Sequence, residues 1–241
     1  MLRKRLPGVF ISDIKFIARM PRLLAGILFP LFVLLLHFFA SKYISVMKDA
    51  EKAYQYYTVT IVSLISAIPF IYGTVFSFMN LHGIRSGDTK ASLQPESDKR
   101  DLFLIRLAIS GLSAFIVVLP VIYITDAVAT EGWLRSIYVS ILLATTAPFI
   151  YAFLTGSGGS ILGWRKQSLI SVLFVLPVPF GLILHHPWNY LAFFSPFYWI
   201  NWAWIIPSPG ESFIYGLISI AITASVLSVY YWKYMKPEAT V

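Results

Sequence analysis

Charged residues in this chain are confined to a few places, and the gaps between them are long. Six stretches contain no Asp, Glu, Lys or Arg: 23–41, 53–84, 107–125, 136–164, 167–210 and 212–232. The hydrocarbon core of a bilayer is about 30 Å thick and needs about 20 apolar residues per helical crossing, so each stretch can hold one. Their side chains are apolar on every side rather than at alternate positions, which predicts helices and not barrel strands. Composition agrees, with 58% of residues hydrophobic and 12% charged, against about 45–50% and about 25% in soluble domains. The pattern predicts an all-α membrane protein, a single transmembrane domain over 1–241, with spans near Leu23–Ala40, Tyr57–Met79, Leu107–Ile124, Ile137–Leu154, Leu169–Leu184 and Phe213–Tyr231. Little chain remains for a soluble catalytic domain.

The run 167–210 is long enough for two crossings, but its middle argues for one. His185-His186-Pro187-Trp188-Asn189 stops the fifth helix, and nine aromatic residues follow between Trp188 and Trp204. Trp and Tyr prefer the boundary between headgroups and hydrocarbon, so 185–212 reads as an aromatic segment that lies along or re-enters one membrane face. Orientation supports six spans. Segments 1–22, 80–106, 155–168 and 232–241 hold 15 of the 19 Lys and Arg residues; the opposite side has Lys42, Lys48, Lys52 and Arg135. The positive-inside rule then places both termini in the cytoplasm and 185–212 outside. In the lead, Ser12, Lys15, Arg19 and Arg22 alternate with Phe10, Ile14, Ile17 and Met20 at helical spacing. Residues 1–22 are therefore expected to form an amphipathic helix in the headgroup plane. Leu23–Ala40 is longer than a signal-peptide core and lacks a small-residue cleavage pattern, so it is expected to remain as a span.

Several chemistries are excluded or disfavoured by the residues themselves. There is no cysteine, hence no disulfide framework, thiolate metal site or cysteine nucleophile. The net charge of +8 reports membrane orientation and attraction to anionic lipid rather than nucleic acid. No Gly-x-x-x-x-Gly-Lys-Ser/Thr loop occurs, so the chain has no ATPase motif of its own. The neighbouring His185 and His186 point in different directions on most backbones and have no carboxylate cluster beside them, so no metal site is expected. Gly156-Ser157-Gly158-Gly159-Ser160 has the look of a nucleophile turn, but no histidine lies within spans four to six to act as its base. No catalytic residue is assigned. Charge is so scarce within the spans that a hydrophobic or amphipathic cargo fits better than an ion.

The longest charged loop, 80–103, includes Gly87-Asp88-Thr89, Leu93, Pro95 and Ser97, followed by Lys99 and Arg100. A short helix is expected from about Asp88 to Gln94, bounded by Gly87 and Pro95. An in-plane N-terminal helix, six spans with both ends inside, this loop, and an aromatic segment with Ser195-Pro196-Phe197-Tyr198 before the last span together resemble the ABC type-2 exporter permeases. The resemblance covers essentially the whole chain. It implies a bacterial cytoplasmic-membrane transport subunit that exports a hydrophobic or amphipathic substrate, such as a drug, lipid or peptide. It also implies a separate ATP-binding-cassette ATPase subunit carrying ATP and Mg, a second permease copy or paralogue, and no cofactor on this chain. Gly87, Asp88, Thr89, Leu93, Pro95 and Ser97 would then form the coupling contact with the ATPase. Trp199, Trp202 and Trp204 are the candidates for an outer substrate gate. Two alternatives stay open: a haem-exporter-like membrane subunit of cytochrome c maturation, loosely similar at Gly163-Trp164-Arg165-Lys166, and a membrane-embedded enzyme.

Overall fold

The computed structural model describes residues 15, 18–44, 50–85, 96–125, 132–157, 193, 195–206 and 208–235. These form six helices: α1 (Pro21–Ile44), α2 (Ala50–Arg85), α3 (Glu96–Thr125), α4 (Gly132–Ser157), the short α5 (Pro196–Ile205) and α6 (Pro209–Met235). Five of them, all but α5, contain segments long and apolar enough to cross a membrane: Leu23–Ile44, Thr60–Met79, Phe103–Thr125, Trp133–Thr155 and Pro209–Val229. The spans read from the charge gaps fall on these five to within a few residues. The expected fifth span, Leu169–Leu184, lies outside the described residues, as do Gly87, Asp88, Thr89, Leu93 and Pro95.

Local chemistry sets where the helices start. Pro21 opens α1, where a missing N–H is harmless, and the carbonyl of Met20 accepts from the amides of Leu23 and Leu24 at 3.0 Å each. Both α2 and α3 continue past the apolar spans into the charged loop: α2 reaches Arg85 and α3 begins at Glu96, with Ser97 in its first turn.

Neighbouring contacts fix the directions of the helices. Between α1 and α2, Tyr72 donates to the Ile27 carbonyl at 3.4 Å, and the Tyr57 hydroxyl is hydrogen-bonded to His37 Nδ1, so the pair is antiparallel. Between α2 and α4, Gly73 meets Ala147 and Thr155 Oγ1 donates to Ser77 Oγ at 3.3 Å, which makes that pair parallel. Tyr138 donates to the Ser212 carbonyl at 3.1 Å, and Gly216 lies against Tyr138 and Leu142, so α4 and α6 are parallel too. The centre of the bundle is α2 and α4, whose spans are 61% and 67% buried, against 17% for α1 and 22% for α6. Leu28, Leu31, Leu35 and Phe38 on α1 and Phe213, Ile214 and Leu217 on α6 point outward. Such an apolar exterior belongs to a chain whose solvent is hydrocarbon.

Close approach at the centre depends on small residues, because hydrocarbon gives helices no hydrophobic reason to associate. A Cβ at Gly73 would lie 2.4 Å from the Ala147 carbonyl oxygen and 2.9 Å from Ile150 Cβ. On the other flank of α4, Gly111 of α3 lies against Pro148, with 3.4 Å from its notional Cβ to the proline ring. Pro148 interrupts the helical ladder by removing the donor to the Ala144 carbonyl, and the two glycines hold that weakened stretch between backbones.

The candidate substrate helix and its polar seam

Residues 185–192, 194 and 207 of the aromatic segment lie outside the described residues. Its described part contains the ten-residue helix α5, in which Phe197, Ile200, Asn201, Ala203 and Trp204 are buried. At about 1.5 Å per residue α5 spans about 15 Å, half the hydrocarbon thickness. It runs antiparallel to the first half of α6: Ser212 Oγ donates to the Ala203 carbonyl at 2.6 Å, the Trp199 and Tyr215 rings stack at 5.6 Å, and Ser219 Oγ donates to the Pro196 carbonyl at 3.1 Å. The start of α5 is therefore inside the bundle and its end is near the start of α6. Its length makes it a half-helix.

Three helices tie it down through polar contacts. From α4, the Arg135 guanidinium donates from one Nη to the Trp204 carbonyl at 2.8 Å and to the Ile206 carbonyl. A cation at a helix C-terminus satisfies carbonyls that have no intrahelical donor and opposes the negative end of the dipole. From α6, Ser212 and Ser219 hold two more carbonyls. From α2, Ser66 meets Asn201, with 3.1 Å between Ser66 Oγ and Asn201 Oδ1. Ser66 also lies 2.9 Å from the Val62 carbonyl, and its one proton cannot serve both. Donation to Val62 with the Asn201 amide turned to offer its NH2 uses the proton once, and either way one amide atom of Asn201 stays buried without a partner.

Trp202 Nε1 and Thr223 Oγ1 are likewise buried without a hydrogen-bond partner. Three polar atoms in this condition, two on α5 and one on α6 in the stripe that faces it, mark this seam as the chemically incomplete part of the described chain.

The three candidate gate tryptophans occupy different environments. Trp199 stacks on Phe193 at 5.4 Å and on Tyr215 at 5.6 Å, and its indole N–H donates to the Phe193 carbonyl at 2.8 Å. Trp204 is 4% exposed and packed in the main apolar core. Trp202 is half-buried, edge-on to Tyr198 at 6.2 Å, and it alone of the three keeps a polar atom unsatisfied. Of the six coupling candidates, Ser97 is at the start of α3 and the other five lie outside the described residues.

Sequence reasoning did not single out Ser66, Arg135, Tyr138, Ser212, Ser219 or Thr223. Two signals were present. Arg135 is one of only four basic residues on its side of the chain, and Ser212, Ser219 and Thr223 recur at spacings of seven and four, a polar stripe on one face of an otherwise apolar helix.

No curated protein and no solved structure matches the chain. Residues 13–231, nearly the whole sequence, match the family model described as "Fluoroquinolones export permease protein Rv2686c-like". With described residues that are helical, five described spans and a half-length helix before the last of them, the chain belongs to that family of ABC-type export permeases.

Proposed function

We propose that this protein is the membrane subunit of an ATP-driven exporter that moves a hydrophobic or amphipathic compound out of the cytoplasm, with fluoroquinolone-like flat aromatic drugs as the substrate class named by its family. The family match over 13–231 carries this reading. Energy comes from a separate ATP-binding-cassette ATPase that holds ATP and Mg. Two permease chains, identical or paralogous, enclose the path. The distribution of basic residues supports a bacterial inner-membrane topology with both termini and loop 80–103 in the cytoplasm. In that orientation α5 enters from the external face.

The extension of α2 to Arg85 and of α3 from Glu96 supports the coupling role of the loop between them, since helices that reach its edges transmit a push rigidly. Gly87, Asp88, Thr89, Leu93, Pro95 and Ser97 make the contact with the ATPase. Closure of the ATPase dimer on nucleotide then shifts the permease pair between inward-open and outward-open states. At the external end Trp199 and Trp204 shape the wall of the gate and Trp202 offers its indole N–H to cargo.

The test is ATP-dependent accumulation of a fluorescent fluoroquinolone in inverted membrane vesicles containing this chain and the ATPase encoded beside it. Uptake that requires both subunits and hydrolysable ATP supports the reading; uptake indifferent to the permease, or no co-purifying ATPase, overturns it. Leu93→Asp is expected to leave the permease inserted and the ATPase active while abolishing most transport, and undiminished transport would remove Leu93 from the contact.

A further inference from the structure

Pro148 lies inside α4 and withdraws the amide that the Ala144 carbonyl would otherwise receive. The turn it leaves open is weakened further by its own threonines. Thr145 and Thr146 direct their hydroxyls back to the carbonyls of Leu142 and Leu143 at 2.6 Å each, and side-chain bonds of this kind compete with the backbone ladder and bend helices. Three carbonyls in succession are therefore either shared or short of their helical donor. The flanks offer no side chain to brace the stretch: Gly73 of α2 is on one side, and on the other is Gly111 of α3, whose notional Cβ lies 3.4 Å from the Pro148 ring and 3.7 Å from the Ala144 carbonyl oxygen.

Neighbouring helices are interrupted at about the same depth. Gly26 of α1 lies against Ile71 and Val75 of the antiparallel α2, which sets the open turn ended by Pro30, 26–30, level with about 69–73. Gly73 faces Ala147 and Ile150 of the parallel α4, which sets 144–148 at that level too. The open turn of α2 itself, 65–69, ends at Pro69 and adjoins it. Pro30 and Pro69 are buried and Pro148 is half-buried. The three open turns fall within about 12 Å of depth, close to the middle of the spans Thr60–Met79 and Trp133–Thr155. Pro120 of α3 differs: it is exposed, and it lies about 13 Å beyond Gly111 toward the far end of its helix.

Different partners hold the two halves of α4. Outward of the open turn, Arg135 donates to the Trp204 and Ile206 carbonyls and Tyr138 to the Ser212 carbonyl, so this half carries the end of α5 and the start of α6. Inward of it, Thr155 donates to Ser77 and the Tyr151 ring lies 5.3 Å from Phe103, so that half is tied to α2 and α3, the helices that border loop 80–103. Phe197 of α5 meets the inner half through the apolar residues Phe149, Ile150 and Leu154, and apolar surfaces slide without breaking a directional bond. Resting on the exporter reading above, we infer that the turn Ala144–Pro148 is a flexure, with the Gly73 contact as its fulcrum, about which the outer half of α4 rocks and swings the attached end of α5 when loop 80–103 is pushed. The open turns at Pro30 and Pro69 let the adjoining helices follow. Rocking of one body against another is the usual form of alternating access.

The experiment uses the full exporter, permease with its ATPase, in inverted vesicles with a fluorescent fluoroquinolone. Pro148→Ala restores the amide and stiffens the turn, whereas Pro148→Gly restores the amide and leaves the turn soft. Expected for P148A is a loss of about tenfold or more in transport with ATP hydrolysis within about twofold, since a hinge change slows turnover without touching the motor. P148G should keep transport within about threefold, P69A should repeat the P148A result, and P120A should stay within about twofold. ATP hydrolysis and co-purification with the ATPase show that each variant is assembled. Undiminished transport in P148A, equal losses in P148A and P148G, or a loss in P120A as large as in P148A overturns the flexure and leaves the exporter reading standing. Absence of transport by the unmodified exporter overturns the exporter reading and the flexure with it.

Discussion

Replacing Arg135 by Met should loosen α5 selectively. The guanidinium holds the carbonyls of Trp204 and Ile206. Losing it leaves two acceptors in a half-buried, low-dielectric place, at a cost of about 1–3 kcal/mol each. It also removes a favourable cation from a helix C-terminus, worth about 0.3–1 kcal/mol and up to about 2 kcal/mol when partly buried. Two gains offset this: Met is not desolvated at such expense, and about 2 kcal/mol of side-chain ordering in Arg is largely released. The balance is about 2 kcal/mol against the docked position of α5. Amide hydrogen exchange reads this directly, because local opening free energy sets the exchange rate. A loss of about 2 kcal/mol accelerates exchange about thirtyfold. The acceleration should be confined to 196–206 and the start of α6, with α2 and the core of α4 unchanged. Arg135→Lys, which keeps the charge but not the two-way geometry, should fall between. Exchange in α5 within about threefold of the unmodified protein, or a uniform acceleration across the chain, would show that Arg135 does not pin this helix.

Other substitutions probe different contacts. Gly73→Ala should destabilise the detergent-solubilised protein by about 1–3 kcal/mol in thermal unfolding, because the new methyl meets the Ala147 carbonyl, a backbone atom that cannot rotate away; Gly210→Ala, with nothing within 4 Å, should be neutral or slightly stabilising. Asn201→Leu removes a polar atom that is unsatisfied either way together with its bond to Ser66, so stability should change by less than about 1 kcal/mol while transport falls; a large stability loss with intact transport would assign Asn201 to structure alone.

What the sequence made legible was governed by length and charge. Leu23, Met79, Thr125 and Thr155 end or begin described spans at or within a residue or two of the expected limits, because an uncharged run bounded by Lys or Arg has only one way to sit in a bilayer. The extension of α3 back to Glu96 was less legible, since Asp and Lys inside a helix look the same as Asp and Lys in a loop. The aromatic segment was legible as an interruption but not as a buried half-helix. Nine rings in 188–204 fit an interfacial belt or a gate, and ring content does not say which rings turn inward. That is decided by partners remote in sequence: Ser66 for Asn201 and Arg135 for Trp204, 135 and 69 residues away.

Apolar burial and polar contacts have separate jobs in this bundle. Burial of Phe197, Ile200 and Trp204 would be nearly as favourable in lipid as in protein, since a hydrocarbon tail is as apolar as a leucine side chain, so burial alone cannot decide where along α6 the short helix stops. The bonds of Ser212, Ser219, Arg135 and Ser66 can, because each is directional and a shift of one residue breaks several of them together. Individually the neutral bonds among them, those of Ser212, Ser219 and Ser66, are worth about 0.6 kcal/mol, rarely above about 1.7 kcal/mol. The register of α5 is thus specified by a sum of weak terms, whereas the α2–α4 contact at Gly73 is fixed by backbone packing that has no near alternative. A transporter that must open on one side needs its moving part at the low-stability end of the molecule, and the half-helix meets that requirement where the central pair does not.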